Sequence, residues 1–145
     1  SSKIQPHIPF TDLREWMREA EKLNELKTVL GASWQEDIGL ASDVIVPADD
    51  GPAVIFDEVP GCRKGFRVLV NVFAGKRRAM TLGFPQGLTK QEISQAYFHH
   101  YQQKQNHLPS VIVDGGPVFE NTLTGEQINV ELFPTPVWHV NDGGR

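Results

Sequence analysis

Apolar residues recur in this chain with two distinct periods. From Leu13 onward, Trp16, Met17, Ala20, Leu23 and Leu26 follow at intervals of three and one, with Glu15, Arg18, Glu19, Glu21 and Lys22 between them. That is one helix stripe with a solvated opposite face, on which Trp16 is a core residue. Asp12, three residues ahead of Glu15, resembles a capping box with Asp in place of Ser or Thr, so the helix starts there. The period changes at the centre of the chain. Ala53-Val54-Ile55-Phe56 and the run from Phe66 to Phe73 are nearly continuous apolar stretches, bounded by Asp50-Gly51-Pro52, Pro60-Gly61 and Gly75. Short β-branched runs between such breakers read as strands covered on both faces, or nearly so.

The remaining elements arrange themselves around that pair. Lys27 to Leu30 reads as a short strand stopped by Gly31. Gln35 to Val46 has helical spacing, with Ser33 as the cap, Glu36 and Asp37 in the first turn and Pro47 as the stop. The basic segment after Gly75 is a short helix capped by Gly83. Leu88 to Gln105 forms a longer helix, opened by a capping box of Thr89 and Glu92. Its apolar face is Ile93, Ala96, Tyr97 and Tyr101, flanked by Phe98, and Asn106 and Pro109 end it. Ser110 to Val113 reads as a strand, and Asn129 to Phe133 alternates in the same sense. A turn-rich tail follows from Pro134. The fold class is α/β (α+β): a small mixed sheet flanked by three to four helices. No repeat or low-complexity tract interrupts it.

A length of 145 residues suits one domain, or one domain and the start of another, and can bury a core without staples. A net charge of −4 favours solubility and gives no support for nucleic-acid binding. The single cysteine, Cys62, rules out an internal disulfide and any multi-cysteine metal site, and fits a reducing, cytoplasmic setting. No apolar run approaches membrane-spanning length, and no signal peptide opens the chain.

Candidate chemistry is sparse. His99 and His100 are adjacent on a helix and diverge by about 100°. His107 lies beyond its end, and no histidine pair has metal-site spacing. Gly75-Lys76-Arg77-Arg78 stands at a strand-to-helix junction, where basic helix starts bind phosphate. The pattern is neither a P-loop nor a dinucleotide fingerprint. A solvated helix start, or arginines paired with carboxylates across a domain interface, explains it better. Cys62, in a Pro-Gly-Cys turn near Arg63 and Lys64, reads as a loop thiol without function. Asp57 and Glu58 flank a turn as solvated carboxylates. From the residues alone, no catalytic, cofactor-binding or metal-ligating residue is assigned.

Four segments in order resemble one family. Asp12-Leu13-Arg14-Glu15-Trp16 through Asn24-Glu25-Leu26-Lys27 is similar to the opening helix of UbiD-type decarboxylases, with Asn24 where the family has Gly. Gly51 to Gly61 resembles their GPALLFENVKG segment. Val68-Leu69-Val70-Asn71-Val72-Phe73-Ala74-Gly75, then Arg77 to Met80 and Leu82-Gly83, resembles PVLxNLFGxxxRxAxxLG. Leu132-Phe133-Pro134-Thr135-Pro136, Trp138-His139 and Asp142-Gly143-Gly144-Arg145 are similar to LPxPxxHxxDGGRY. The resemblance implies a non-oxidative, reversible decarboxylase of aromatic, heteroaromatic or α,β-unsaturated acids. It implies prenylated FMN with Mn²⁺ and K⁺, and homo-oligomers assembled through a C-terminal domain. It divides the chain into an arm (1–10), an N-terminal α/β domain (11–109) and the connection into a split β-barrel with its first strands (110–145). The family's cofactor and catalytic residues lie downstream of the Asp-Gly-Gly-Arg motif, so none is carried over and His139 is not promoted to a metal ligand. The chain then reads as an N-terminal fragment that is inactive alone and binds no cofactor. It would serve the remaining domains of the same enzyme, with no nucleic-acid or membrane partner. The alternative is a free-standing interaction or regulatory domain that keeps the fold without catalysis.

Overall fold

A computed structural model describes residues 4–103 and 108–142. Its centre is a three-stranded sheet in the order β1-β2-β3, formed by β1 (Leu26–Leu30), β2 (Ala53–Asp57) and β3 (Val68–Val70). β1 runs parallel to β2 in the register Leu26 to Ala53, and β3 runs antiparallel to it with Val54 opposite Val70. The sheet is therefore mixed. A parallel pair needs a crossover, and α2 (Asp37–Ile45) supplies it between β1 and β2. The other helices are α1 (Leu13–Lys22), α3 (Arg77–Leu82) and α4 (Lys90–Tyr101).

Strand alternation splits the core into two layers. Val54, Phe56 and Val70 pack with Ile38 of α2 and with Ala32 and Val59 on one face. Ala53 packs on the other, with Trp16 and Ala20 of α1 and Met80 of α3. β2 is the central strand and is buried from Ala53 to Phe56, as its unbroken apolar run predicts. β3 is shorter than the Phe66–Phe73 run from which it is read. β1 is an edge strand, exposed from Lys27 to Leu30.

Local chemistry sets most element ends. Asp12 Oδ1 accepts from Glu15 N at 2.8 Å, while Glu15 Oε2 accepts from the amide and hydroxyl of Thr11, one residue before the position a capping box uses. At the other end of α1, Glu25 N donates to Ala20 O and Asn24 N to Glu21 O, a complete Schellman pair. Asn24 adopts φ +58, a conformation Asn tolerates better than most residues, so it does the work of the family's glycine. Leu26 consequently lies on β1 and not on the helix stripe, and Leu13, at the other end of that stripe, is exposed. α2 starts two residues later than the spacing predicts. Its N-cap is Glu36, without a side-chain cap, and not the expected Ser33; Ser33 Oγ instead accepts from Asp37 N, and Asp37 Oδ2 from Ser33 N at 2.8 Å, closing the turn that leads into the helix. α4 has the full Thr89–Glu92 box. Of its expected apolar face, Ile93 is buried and Ala96 partly so, whereas Tyr97, Phe98 and Tyr101 are exposed. It ends at Tyr101 with Gln102 as the C-cap, short of the expected Gln105; the stop expected at Asn106 lies outside the described residues.

The strands expected at 110–113 and 129–133 do not form. Val111 and Ile112 are 81% and 95% exposed without regular structure, and Val130–Leu132 is a 3₁₀ turn with Asn129 accepting from Glu131 N. A strand exists only where a neighbour satisfies its amides, and no described strand adjoins either segment. No helix among the described residues is long and apolar enough to cross a membrane.

Candidate functional site

A dense polar network surrounds Arg77, whose side chain is fully buried. It is the first residue of α3, and the turn before it bends through Asn71 at φ +62 and Gly75 at φ +55. The guanidinium pairs with the Glu25 carboxylate through Nη1. Nη2 donates to Gly51 O at 2.6 Å and to Asn71 O at 2.9 Å, Nε to Asn71 O at 3.2 Å, and Nη1 to Glu25 O at 3.3 Å. Asn71 Nδ2 donates in turn to Gly51 O and Pro52 O at 3.0 and 3.1 Å. One cation thus ties the start of β1, the start of β2 and the end of β3. Gly75 belongs to the same construction, since a Cβ there would stand 2.7 Å from Glu25 Oε2. Burial holds the Arg77 guanidinium below its ordinary value and Glu25 pulls it back up; it remains a cation, as arginines in proteins do. The guanidinium is spent on the Glu25 carboxylate and on this chain's own carbonyls, so the cluster binds the fold together and presents nothing to a ligand.

That arrangement corrects the reading of the basic segment. Arg77 is neither solvated nor paired across a domain interface; its carboxylate partner is in the same fold. Only Lys76 is exposed, while Arg78 is half-buried and donates from Nε to Phe73 O at 2.9 Å. The signal that Lys-Arg-Arg conceals is the placement of Glu25, Gly51, Asn71 and Gly75, all of which fall within segments that carry the family resemblance.

Two open clefts lie beside α2. There the chain from Leu132 to Asp142 returns as an extended strap. Pro134 and Pro136 are buried, Val137 N donates to Trp34 O at 2.9 Å, and Phe133 meets Phe66 edge-on at 4.9 Å. A cleft of about 460 Å³ runs between α2, β3 and the strap, walled by Asp43, Val46, Leu69, Asn71, Trp138 and His139. A second, of about 570 Å³, lies on the other side of Trp138 and His139, against Glu36 and Leu40. His139 Nε2 is 3.3 Å from Asp43 Oδ1 and Nδ1 is 3.6 Å from Asp142 Oδ1, with all three side chains substantially open to water. Imidazole between two carboxylates can move or hold a proton, but the triad offers no enclosed position for a reacting atom.

The other candidates remain apart. His99 and His100 sit in the last turn of α4, His100 against the Tyr101 ring, and His107 lies outside the described residues. Cys62 lies in the loop between β2 and β3, half-buried against the α2-side core. Asp57 Oδ1 accepts from Glu58 N, closing the end of β2. Among the described residues, no group of three or more His, Cys, Asp or Glu side chains could hold a metal ion. These described residues do not fit a Mn²⁺ site, and no chemical step is derived through a metal or a flavin.

No protein-family model and no curated protein sequence matches the chain. Solved structures do. Vanillic acid decarboxylase of Sedimentibacter hydroxybenzoicus in an open form superposes with a TM-score of 0.52 at 24% identity, over 58% of this chain and 18% of the decarboxylase chain. Its closed form gives 0.48 at 23% identity over 59% and 18%. The chain shares its fold with that part of the decarboxylase and matches less than a fifth of its length.

Proposed function

We propose that this chain is the N-terminal α/β domain of a UbiD-type decarboxylase together with the connection into its cofactor-binding barrel. The observation that carries the proposal is the convergence at Arg77. Segments that resemble the family at 24–27, 51–61 and 68–83 meet there in one buried network, in a fold shared with a decarboxylase of that family. Dispersed sequence likeness becomes one three-dimensional feature, which chance likeness in separate segments would not produce.

In this reading the whole enzyme is cytoplasmic and homo-oligomeric. It removes CO₂ from, or adds it to, an aromatic, heteroaromatic or α,β-unsaturated carboxylic acid. Prenylated FMN, with Mn²⁺ and K⁺ at its phosphate, supplies the covalent chemistry from the domains that follow. The present chain supports that domain, walls one side of the active cleft and is inactive alone.

The test compares the 145-residue chain with the full reading frame that contains it. Each is incubated with prenylated FMN, Mn²⁺, K⁺ and a panel of such acids, and flavin retention and CO₂ release are measured. The longer protein should retain flavin and turn over; the chain alone should do neither. Turnover by the chain alone overturns its supporting role, and a longer protein that neither retains flavin nor releases CO₂ overturns the family assignment.

A further inference from the structure

Gly39 lies inside α2, where glycine is unfavourable by about 1 kcal/mol relative to alanine and serves no turn. It is fully covered, and what covers it is the backbone of the strap. A Cβ at this position would collide with the Val137 carbonyl oxygen and stand 2.8 Å from the Trp138 carbonyl oxygen. Both obstacles are main chain, so no side-chain rotation relieves them. One turn of chain away, Val137 N donates to Trp34 O at 2.9 Å, and Asp43, on the next turn of α2, faces His139 at 3.3 Å. The strap therefore rests on α2 through a backbone-to-backbone seat that exists because residue 39 has no side chain.

From this geometry we infer that Gly39 is the docking seat of the 134–142 strap, and that seating the strap there creates the two clefts on either side of Trp138 and His139. Both clefts use these two side chains as a wall, so their shape depends on where the strap lies. The seat is a local structure. Trp138, His139 and Val140 are exposed, and among the described residues the backbone hydrogen bond that ties 134–142 to the body is that of Val137 to Trp34, just before α2. Segments tied down so lightly open at lower free energy than the body that carries them. The strap therefore lifts and reseats as a unit while the α/β body stays folded. This inference is independent of the decarboxylase reading.

Two variants of the complete chain test it. Gly39→Ala blocks the seat from the helix side and Val137→Pro removes its hydrogen bond from the strap side. In Gly39→Ala, hydrogen exchange at the Val137 amide should accelerate by roughly tenfold or more, the mark of a lost local closure. In both variants, iodide quenching of tryptophan fluorescence should rise as Trp138 and Trp34 gain exposure, while the thermal midpoint moves little. Val137 protection and quenching unchanged in Gly39→Ala overturn the seat. A global loss of stability in Val137→Pro overturns the independence of the strap from the body. If Gly39→Ala does not fold, Val137→Pro alone decides: raised quenching with an unchanged midpoint supports the seat, and unchanged quenching overturns it.

Discussion

Arg77 shows how much one side chain can carry when its partners are backbone. A buried guanidinium is costly unless every donor is used, and here they go to Glu25, Gly51 and Asn71. Removing the cation strands the Glu25 carboxylate and several carbonyls together. Arg77→Ala should therefore cost about 3–5 kcal/mol, the range for breaking a buried pair from one side, measured by urea denaturation. The double variant Glu25→Leu/Arg77→Met should recover part of that loss, because it removes the stranded charge along with its partner. None of this was legible locally. Lys-Arg-Arg has the composition of a wet helix start, and the partners that bury Arg77 stand as far as 52 residues away in sequence. Asn24 was the opposite case: its departure from glycine marked a helix end, and the left-handed geometry found there is a local property.

Among elements, the helices were read best where their ends carry their own chemistry. Thr89 and Glu92 lie three residues apart and need nothing else to cap α4. Ser33 pairs with Asp37 in the turn before α2, but the helix itself caps at Glu36, whose side chain makes no capping bond. These local hydrogen bonds make a pH prediction. Hydrogen bonds from Thr11 hold the Glu15 carboxyl below its ordinary value, those from Ser33 do so for Asp37, and those from Thr89 for Glu92. A carboxyl whose folded value is lowered contributes stability that is fully present above its unfolded value. That contribution is lost as pH falls through the lowered folded value. Stability should thus be flat in this respect above roughly pH 5 and decline below about pH 4, with the helix starts loosening first. Glu92→Gln should flatten the acid limb of a plot of thermal midpoint against pH. Strands were read less well than helices. Ser110-Val111-Ile112-Val113 has strand composition, but composition cannot provide a neighbour, and without one the segment stays irregular. Tyr97, Phe98 and Tyr101 misled in the same way, since helical spacing marks a face without stating what covers it.

At the scale of the molecule, the compact part is the sheet with α1, α2 and α3, and apolar surface accumulates beyond it. Phe98 is 65% exposed, Ile112 95% and Val118 81%, on α4 and on the chain that follows it. A hydrophobic dye such as anilinonaphthalene sulfonate should therefore bind the chain in its native state. Phe98→Glu and Ile112→Lys should weaken that binding while moving unfolding free energy by no more than about 0.5 kcal/mol, as surface substitutions do. Retained dye binding in both variants would place the exposed surface elsewhere.

The Arg77 network also sets an order of events in time. Its acceptors at Glu25, Gly51 and Asn71 all precede it in the chain, so a polypeptide leaving the ribosome holds three strands before it holds the cation that ties their ends. The sheet can be sketched early, but it locks only after residue 77 has emerged. Synthesis monitored with a force-sensitive arrest peptide should show the folding pull beginning once residue 77 and α3 clear the exit tunnel. Arg77→Ala should weaken that pull without moving its position, and a full-strength pull before residue 77 emerges would sink this ordering.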